Sequence, residues 1–159
     1  MRKSVLFAVM VAGGVVLASQ VDRNRGLDRA AIREAVLKVH GAMAQAERDL
    51  DAERFFEHVL DFDKGLIMQD GVVFNTRQEA LDAVRTGFQR VAEMERTYER
   101  TDVTVLSPDA ALVTAKGSST VTLVDGRSFT NPFAASMVFV RREGQWKLLQ
   151  GHYSLPNPR

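Results

Sequence analysis

The sequence predicts an α+β domain, with helices and strands in separate parts of the chain. Apolar residues recur at helical spacing through most of residues 28–96, interrupted by one short hairpin pattern, and the pattern becomes strand-like from Tyr98 onward. Turn sequences divide the later part at intervals suited to an antiparallel meander. Helices segregated from strands are typical of α+β proteins rather than alternating α/β proteins.

The composition is that of one folded globular domain. The chain has 159 residues, of which 45% are hydrophobic and 26% charged, which excludes disordered and multi-span membrane classes. Its 21 basic and 20 acidic residues leave a formal charge of +1, so no strong field attracts nucleic acid. The basic clusters Arg23-Asn24-Arg25 and Arg141-Arg142 are too short for a nucleic-acid surface.

The N-terminus resembles a secretory signal peptide. Arg2 and Lys3 precede an uncharged, largely apolar run over residues 5–18, and small residues follow it. This run is shorter than the roughly 20 residues that span a bilayer, which disfavours a permanent anchor. Its paired glycines and valines disfavour the other alternative, a buried helix. We therefore predict a signal peptide over residues 1–19.

Three expectations follow from this assignment. Residues 20–27 would form a linker and residues 28–159 the mature domain, which would be periplasmic or secreted and free of the membrane after cleavage. The chain contains no cysteine, so this exported domain would have no disulfide, no thiol catalyst and no lipid anchor.

Two helices are predicted at the start of the domain. Asp28 is a suitable N-cap for the first. The apolar face of this helix consists of Ile32, Val36, Val39, Met43, Ala46 and Leu50. Asp51 is placed to cap a shorter second helix that carries Phe55, Phe56, Val59 and Leu60 and ends before the break at residues 61–65.

A hairpin and a third helix come next. Asp70-Gly71 lies between the apolar runs 66–68 and 72–74 and suits a tight turn. Thr76 and Glu79 have the spacing of a capping box at a helix start. The predicted apolar face contains Leu81, Val84, Phe88, Val91 and Met94, and the predicted solvent face contains Asp82, Arg85, Arg90, Glu93 and Arg96.

Four long strands complete the prediction, with cores near 101–106, 111–123, 129–141 and 145–154. Pro132 cannot donate a ladder hydrogen bond, so we expect an edge, a bulge or a bend there. Three helices on one face of a strongly bent antiparallel sheet would leave an apolar cavity at the open end. Cavities of this kind usually hold small molecules.

The predicted order of elements and the end of the chain together resemble the SnoaL-like branch of the nuclear transport factor 2 (NTF2)-like superfamily. Trp146, Lys147, Leu148, His152 and Ser154 follow the pattern of that family's last strand, and the resemblance extends over residues 27–154. It implies a cone-shaped domain with an internal ligand cavity and a homodimer formed through the outer sheet face. Its members include isomerases, dehydratases, cyclases and non-catalytic association modules, so the fold alone selects no reaction.

Three residues are candidate catalysts. The resemblance implies that His152 points into the cavity, where an imidazole could transfer protons; alternatively, it is a buried histidine bonded to its neighbours. Asp61 and Asp63 follow the second helix, where apolar walls could raise the pKa of a carboxylate that serves as a base. Their alternative role is capping and turn formation.

Six further residues are candidate ligand contacts: Phe55, His58, Tyr98, Asn131, Phe133 and Trp146. His58 could face the cavity or the surface, and the aromatic residues could equally be core. Strand alternation would place Tyr98, Arg100 and Asp102 on one face. An inward Arg100 would suit a carboxylate ligand, whereas an outward Arg100 would join a solvated ladder of charges.

The sequence predicts no metal site and no cofactor. His40, His58 and His152 are isolated, and phosphate-loop, dinucleotide and nucleophile-elbow motifs are absent. We therefore expect an exported domain that binds a small apolar organic ligand. A cofactor-free isomerase, dehydratase or cyclase working by proton transfer is the catalytic form of this hypothesis. The alternative is a non-catalytic homodimeric module for association or ligand scavenging.

Overall fold

The computed structural model describes residues 28–61, 64, 66–69 and 71–155. The predicted signal peptide at 1–19, the predicted linker at 20–27 and Asp63 lie outside the described residues. The predicted start of the domain at residue 28 coincides with the cap of the first helix.

Three helices occur in the described residues: α1 (Arg29–Arg48), α2 (Ala52–Phe56) and α3 (Arg77–Phe88). The predicted caps are confirmed, because Asp28 and Asp51 each accept a backbone hydrogen bond of 2.9 Å three residues later. Thr76 caps α3 by accepting from the Glu79 amide, while the Glu79 carboxylate accepts from the Asn75 amide rather than from that of Thr76.

The third helix is shorter than predicted. It ends at Phe88, and an extended strand begins at Val91. Val91, Met94 and Arg96 therefore belong to this strand and not to a helix. The burial pattern is that of a strand, because the half-buried residues Met94, Arg96 and Tyr98 alternate with exposed residues. This correction moves Arg96 from a predicted solvent face to the helix-covered face of the sheet.

Six strands in the described residues form one sheet in the order β2-β1-β6-β5-β4-β3. Their bounds are β1 (Ile67–Gln69), β2 (Val72–Phe74), β3 (Val91–Ser107), β4 (Ala110–Leu123), β5 (Ser128–Arg142) and β6 (Gln145–Ser154). The meander and the hairpin are antiparallel as predicted, but β1 pairs with β6 in parallel. The α+β prediction is confirmed, and the sheet is mixed rather than wholly antiparallel.

The helices cover one face of this sheet and form the core with it. Phe56 on α2 and Phe139 on β5 are fully buried, as are Met137 and Leu148 on neighbouring strands. Strand residues that alternate with them are mostly exposed or half-buried on the other face. Among the described residues, no helix is long and apolar enough to cross a membrane.

Of the four register shifts described in the sheet, two bear on residues singled out from the sequence, and both reverse the alternation of side chains within their strands. On β3, Tyr98 pairs with Gly117 and Arg100 with Lys116, which leaves Glu99 as an extra residue. On β6, Leu148 pairs with Phe139 and Gln150 with Val138, which leaves Leu149 as an extra residue. An extra residue sends every later side chain to the opposite face from the one simple alternation predicts.

The predicted irregularity at Pro132 agrees with the sheet geometry. Pro132 pairs with Ser118 of β4, whereas the described pairing of β5 with β6 begins at Ala134. At Pro132 the strand therefore has a described neighbour on one side, so the missing amide proton disrupts no ladder on the other side.

Candidate functional site

The site is an apolar cavity of about 410 Å³ between the helices and the sheet. Its walls come from the end of α1, α2, the β1–β2 hairpin, α3 and the start of β3. They include Phe55, Ile67, Phe74, Val84, Phe88 and Met94. The polar side chains in this lining are those of Glu47, Gln69 and Arg96. A mostly apolar cavity with a few polar groups is typical of a small-molecule site.

Glu47 and Arg96 form an ion pair at the cavity wall. The Arg96 Nη2 atom lies 3.1 Å from Glu47 Oε1, and the two side chains are 19% and 13% exposed respectively. The Arg96 Nε atom is buried and has no hydrogen-bond partner among the described residues. Arg96 therefore brings a charged group with several N–H donors to the cavity wall, and Glu47 meets it at Nη2.

Aromatic rings hold the Arg96 guanidinium in place. Its central carbon lies 5.4 Å from the ring centroid of Phe133 and 5.4 Å from that of Tyr153. The Tyr98 ring meets Phe133 edge to face at 5.5 Å and His40 edge to face at 5.0 Å. These contacts combine cation–π attraction with packing and restrict movement of the guanidinium.

Burial shifts the titration of several groups around Arg96. It raises the pKa of Glu47, although Arg96 and Arg48 oppose the shift. Burial and the nearby Arg96 charge lower the pKa of His40 to about 4. Burial also raises the pKa values of the phenols of Tyr98 and Tyr153. At neutral pH the imidazole and both phenols are therefore uncharged.

This arrangement can bind a polar group and exchange a proton. A guanidinium beside an apolar cavity can donate hydrogen bonds to a ligand oxygen. A carboxyl group whose pKa is raised toward neutrality can give or take a proton at moderate cost. Within the described ranges, no group of three or more His, Cys, Asp or Glu residues is arranged to hold a metal ion.

The predicted aromatic contacts have different locations. Phe55 lines the cavity, and Phe133 and Tyr98 pack around Arg96. Trp146 is buried and lines a second cavity of about 320 Å³ that also involves Ile32 and Pro108. Their roles as ligand contacts stay predictions.

The two predicted polar contacts are elsewhere. His58 is half-buried, and its backbone carbonyl accepts a 2.7 Å hydrogen bond from the Leu148 amide. Burial and the Lys147 charge lower the pKa of its imidazole. Asn131 is exposed on β5. Asn131 pairs with Ser119, which pairs with Arg96, so Asn131 lies on the Arg96 face of the sheet two strands away. Neither His58 nor Asn131 is among the residues that line the cavity.

The expected inward orientation of His152 is wrong. The bulge at Leu149 turns Gly151 and Tyr153 toward the interior, and His152 is exposed. Tyr153 takes the inward place that simple alternation would give to His152. Asp61 is also exposed, which does not provide the apolar surroundings expected for it. Asp63 lies outside the described residues.

Arg100 follows the solvated alternative. It is exposed and pairs with the exposed Asp102, because the bulge at Glu99 turns both away from the face of Tyr98. Arg96 supplies the inward guanidinium instead.

Sequence reasoning missed Glu47, Arg96 and His40. His40 and Glu47 lie four residues after Val36 and Met43 of the apolar stripe, so helical spacing places them beside it. Ionisable residues within an apolar helical stripe are a usable indication of a site. Arg96 was not recognised because the predicted third helix extended through it and placed it on the solvent face.

The sequence and fold resemble known proteins. A family model described as a SnoaL-like domain matches residues 36–158. No curated protein matches the sequence significantly.

Solved structures with the same fold include three informative examples. A proposed dehydratase of the NTF2-like family from Streptomyces avermitilis has a TM-score of 0.71 and 21% identity, covering 81% of this chain and 99% of its own. An NTF2-like superfamily protein from Salmonella enterica has a TM-score of 0.72 and 11% identity, covering 82% and 94%. A hexachlorocyclohexane dehydrochlorinase from Novosphingobium barchaimii has a TM-score of 0.68 and 17% identity, covering 82% and 90%.

These likenesses establish the fold, and the family match extends over most of the chain. The predicted resemblance, made on the order of elements and on the last strand, is confirmed. The chain belongs to the SnoaL-like domain family and has the NTF2-like fold.

Proposed function

We propose that the protein binds a small, largely apolar organic molecule whose polar group reaches the Glu47–Arg96 pair. The observation that supports this most directly is the position of a buried ion pair in the wall of an apolar cavity of about 410 Å³. Burying two charges is costly, and a structural core rarely gains stability from such a pair. A site that must orient a polar ligand does require such groups.

We further propose that the bound molecule undergoes cofactor-free proton transfer, as in an isomerase, dehydratase or cyclase. Glu47 replaces His152 as the proton-transfer group, because its carboxyl lines the cavity and burial raises its pKa. Arg96 is placed to stabilise negative charge that develops on a substrate oxygen. A proposed dehydratase and a dehydrochlorinase share the fold, which makes elimination chemistry a reasonable first assay.

Turnover is tested with cyclic β-hydroxy ketones, whose dehydration gives a conjugated ketone that absorbs in the ultraviolet. Glu47→Gln keeps the side-chain size but removes the proton-transfer group, so kcat should fall by roughly 10²–10⁴-fold with little change in KM. Glu99→Gln is the matched control, because Glu99 is an exposed carboxylate paired with Lys116. Equal activity in wild type and Glu47→Gln would reject Glu47 as the proton-transfer group.

A scavenging or association module is the second candidate. The Glu47–Arg96 ion pair favours this candidate. A carboxylate that is paired with a guanidinium is a weaker base than an unpaired one. Native mass spectrometry of the purified protein separates the two functions when combined with the turnover assay. A retained small molecule without turnover supports the binding module, and turnover that depends on Glu47 supports the enzyme.

A further inference from the structure

We propose that the cavity prefers apolar monocarboxylates, with Arg96 receiving the ligand carboxylate while Glu47 is displaced and takes up a proton. This inference rests on the binding part of the proposed function and names the ligand class for the same site. It follows from three features: the fixed position of Arg96, the weak hold of Glu47 on it, and the charge balance of the surroundings.

Arg96 is the fixed member of the pair. It belongs to a long strand paired along its length with β4, and its guanidinium carbon lies 5.4 Å from the ring centroids of both Phe133 and Tyr153. Cation–π contacts with two rings restrict the movement of a guanidinium. Arg96 therefore cannot follow Glu47 out of the site without losing both ring contacts.

Glu47 is the replaceable member. It lies in the last turn of α1 and meets Arg96 through one contact at 3.1 Å from Nη2. A guanidinium has five N–H donors and binds a carboxylate best through two parallel hydrogen bonds. A ligand carboxylate is not tethered to α1, so it can form the contact that Glu47 makes and a second, parallel hydrogen bond. Glu47 and the ligand therefore compete for one cation.

The groups around this pair provide no further positive charge in the cavity lining that would balance a second anion. The groups that face Glu47 are Arg96 and Tyr98 from β3, Tyr153 from β6, and Arg48 on α1 itself. Burial and the Arg96 charge lower the pKa of His40 on α1. Gln69 from β1 is the other polar residue in the cavity lining. The parts of α2 and α3 that line the cavity include Phe55, Ala83 and Val84, which carry no charge.

Proton uptake resolves this charge imbalance. The pair of Glu47 and Arg96 is neutral in sum, and an added carboxylate would leave one net negative charge in a poorly solvated site. One proton from solvent converts the displaced Glu47 to its neutral acid and restores the balance. Burial already raises the pKa of Glu47, whereas the pKa of His40 is lowered to about 4, so Glu47 is the better acceptor.

The experiment uses naphthalene-2-carboxylate and its neutral analogue naphthalene-2-carboxamide as probes of the purified protein. Isothermal titration calorimetry at neutral pH, in two buffers of different ionisation enthalpy, counts the protons taken up per ligand. We expect the carboxylate to bind with uptake close to one proton and the amide to bind without uptake. In wild type, carboxylate affinity should fall about tenfold per pH unit over the range in which Glu47 is ionised in the free protein and neutral in the complex.

Two variants assign the roles. Glu47→Gln should bind the carboxylate as well as or better than wild type, with no proton uptake, because no anion has to be displaced. Arg96→Met should lose at least tenfold in carboxylate affinity and retain amide binding, and Glu99→Gln should match wild type throughout. If Arg96→Met does not fold, the pH dependence of carboxylate binding to the wild type and the proton count in Glu47→Gln still test whether Glu47 takes up the proton.

The outcomes separate this inference from the proposed function. Amide binding that equals or exceeds carboxylate binding, with no proton uptake, would overturn the ligand class and leave cavity binding intact. Carboxylate binding without proton uptake would overturn the displacement step. If neither probe binds and no small molecule is retained on purification, both the inference and the proposed binding function fail.

Discussion

Removing the Glu47 carboxylate would leave the Arg96 guanidinium unpaired in the interior. Both side chains are largely buried, so Glu47→Ala should lower the free energy of unfolding by about 3–5 kcal/mol. The exposed pair of Arg100 and Asp102 on the same strand is the control, and Arg100→Ala should cost less than about 1 kcal/mol. Urea denaturation monitored by circular dichroism measures both. Equal effects for the two variants would show that the first pair is as well solvated as the second.

His40 should make folding stability depend on pH. Burial and Arg96 lower its pKa from the ordinary 6.5 to about 4 in the folded protein, so the unfolded chain binds the proton more readily. The contribution is fully present above pH 6.5 and is lost as pH falls toward 4, with a maximum of about 3 kcal/mol. Glu47 acts in the opposite sense, because its raised pKa gives a contribution that is lost as pH rises.

Nuclear magnetic resonance isolates the His40 contribution. The imidazole signal that disappears in His40→Gln should remain that of a neutral ring down to about pH 4. Urea midpoints of wild type and His40→Gln, compared across pH 4 to 6.5, should converge as the pH falls. A His40 signal that titrates near pH 6.5 would contradict the buried neutral state.

At the scale of strands, Gly117 allows β3 and β4 to approach each other next to the bulge. A Cβ at this position would lie 1.9 Å from the Thr97 carbonyl oxygen and 2.9 Å from its carbon, which are backbone atoms that cannot turn aside. Gly117→Ala should therefore destabilise the fold by more than about 4 kcal/mol or prevent folding. Any milder effect would mean that the bulge at Glu99 relaxes.

Gly41 on α1 is the matched control for this substitution. No atom lies within 4 Å of a Cβ placed there, and the position is inside a helix. Gly41→Ala should raise stability by about 0.5–1 kcal/mol, because alanine favours the helix over the unfolded chain. Thermal unfolding of the two variants gives the comparison directly.

At the scale of elements, the bulges explain why some site residues could not be predicted from the sequence. Caps and turns depend on neighbouring residues, so Asp28, Asp51 and Thr76 were found from the sequence. A bulge depends on how a strand meets its partner, and nothing in the local pattern around Leu149 indicates one. His152 was therefore placed on the wrong face, and its neighbour Tyr153 was not recognised as the inward residue.

At the scale of the whole molecule, we propose that two copies associate through the sheet face that the helices leave uncovered. Ser136 and His152 pair across strands β5 and β6 on this face. Ser136→Arg should convert a dimer to a monomer in size-exclusion chromatography with light scattering, whereas Gln78→Arg on exposed α3 should not. A wild-type monomer at high micromolar concentration would reject the proposed dimer.

We also propose that the protein is exported and processed. The intact mass of protein isolated from the envelope or medium of its native cells should correspond to a chain that begins near residue 19. The same protein from a strain with blocked secretion should retain the N-terminal segment. A mature protein that still begins at Met1 would reject the signal peptide.

The sequence by itself determined the fold class, the helix caps, the turns of the meander and the family. These features depend on local patterns of polarity and conformational preference, which neighbouring residues specify. Only the tertiary structure decided that Glu47 and Arg96 meet at a cavity and that His152 does not. Those facts depend on where the third helix stops and where two strands gain an extra residue, and both are settled by packing between distant parts of the chain.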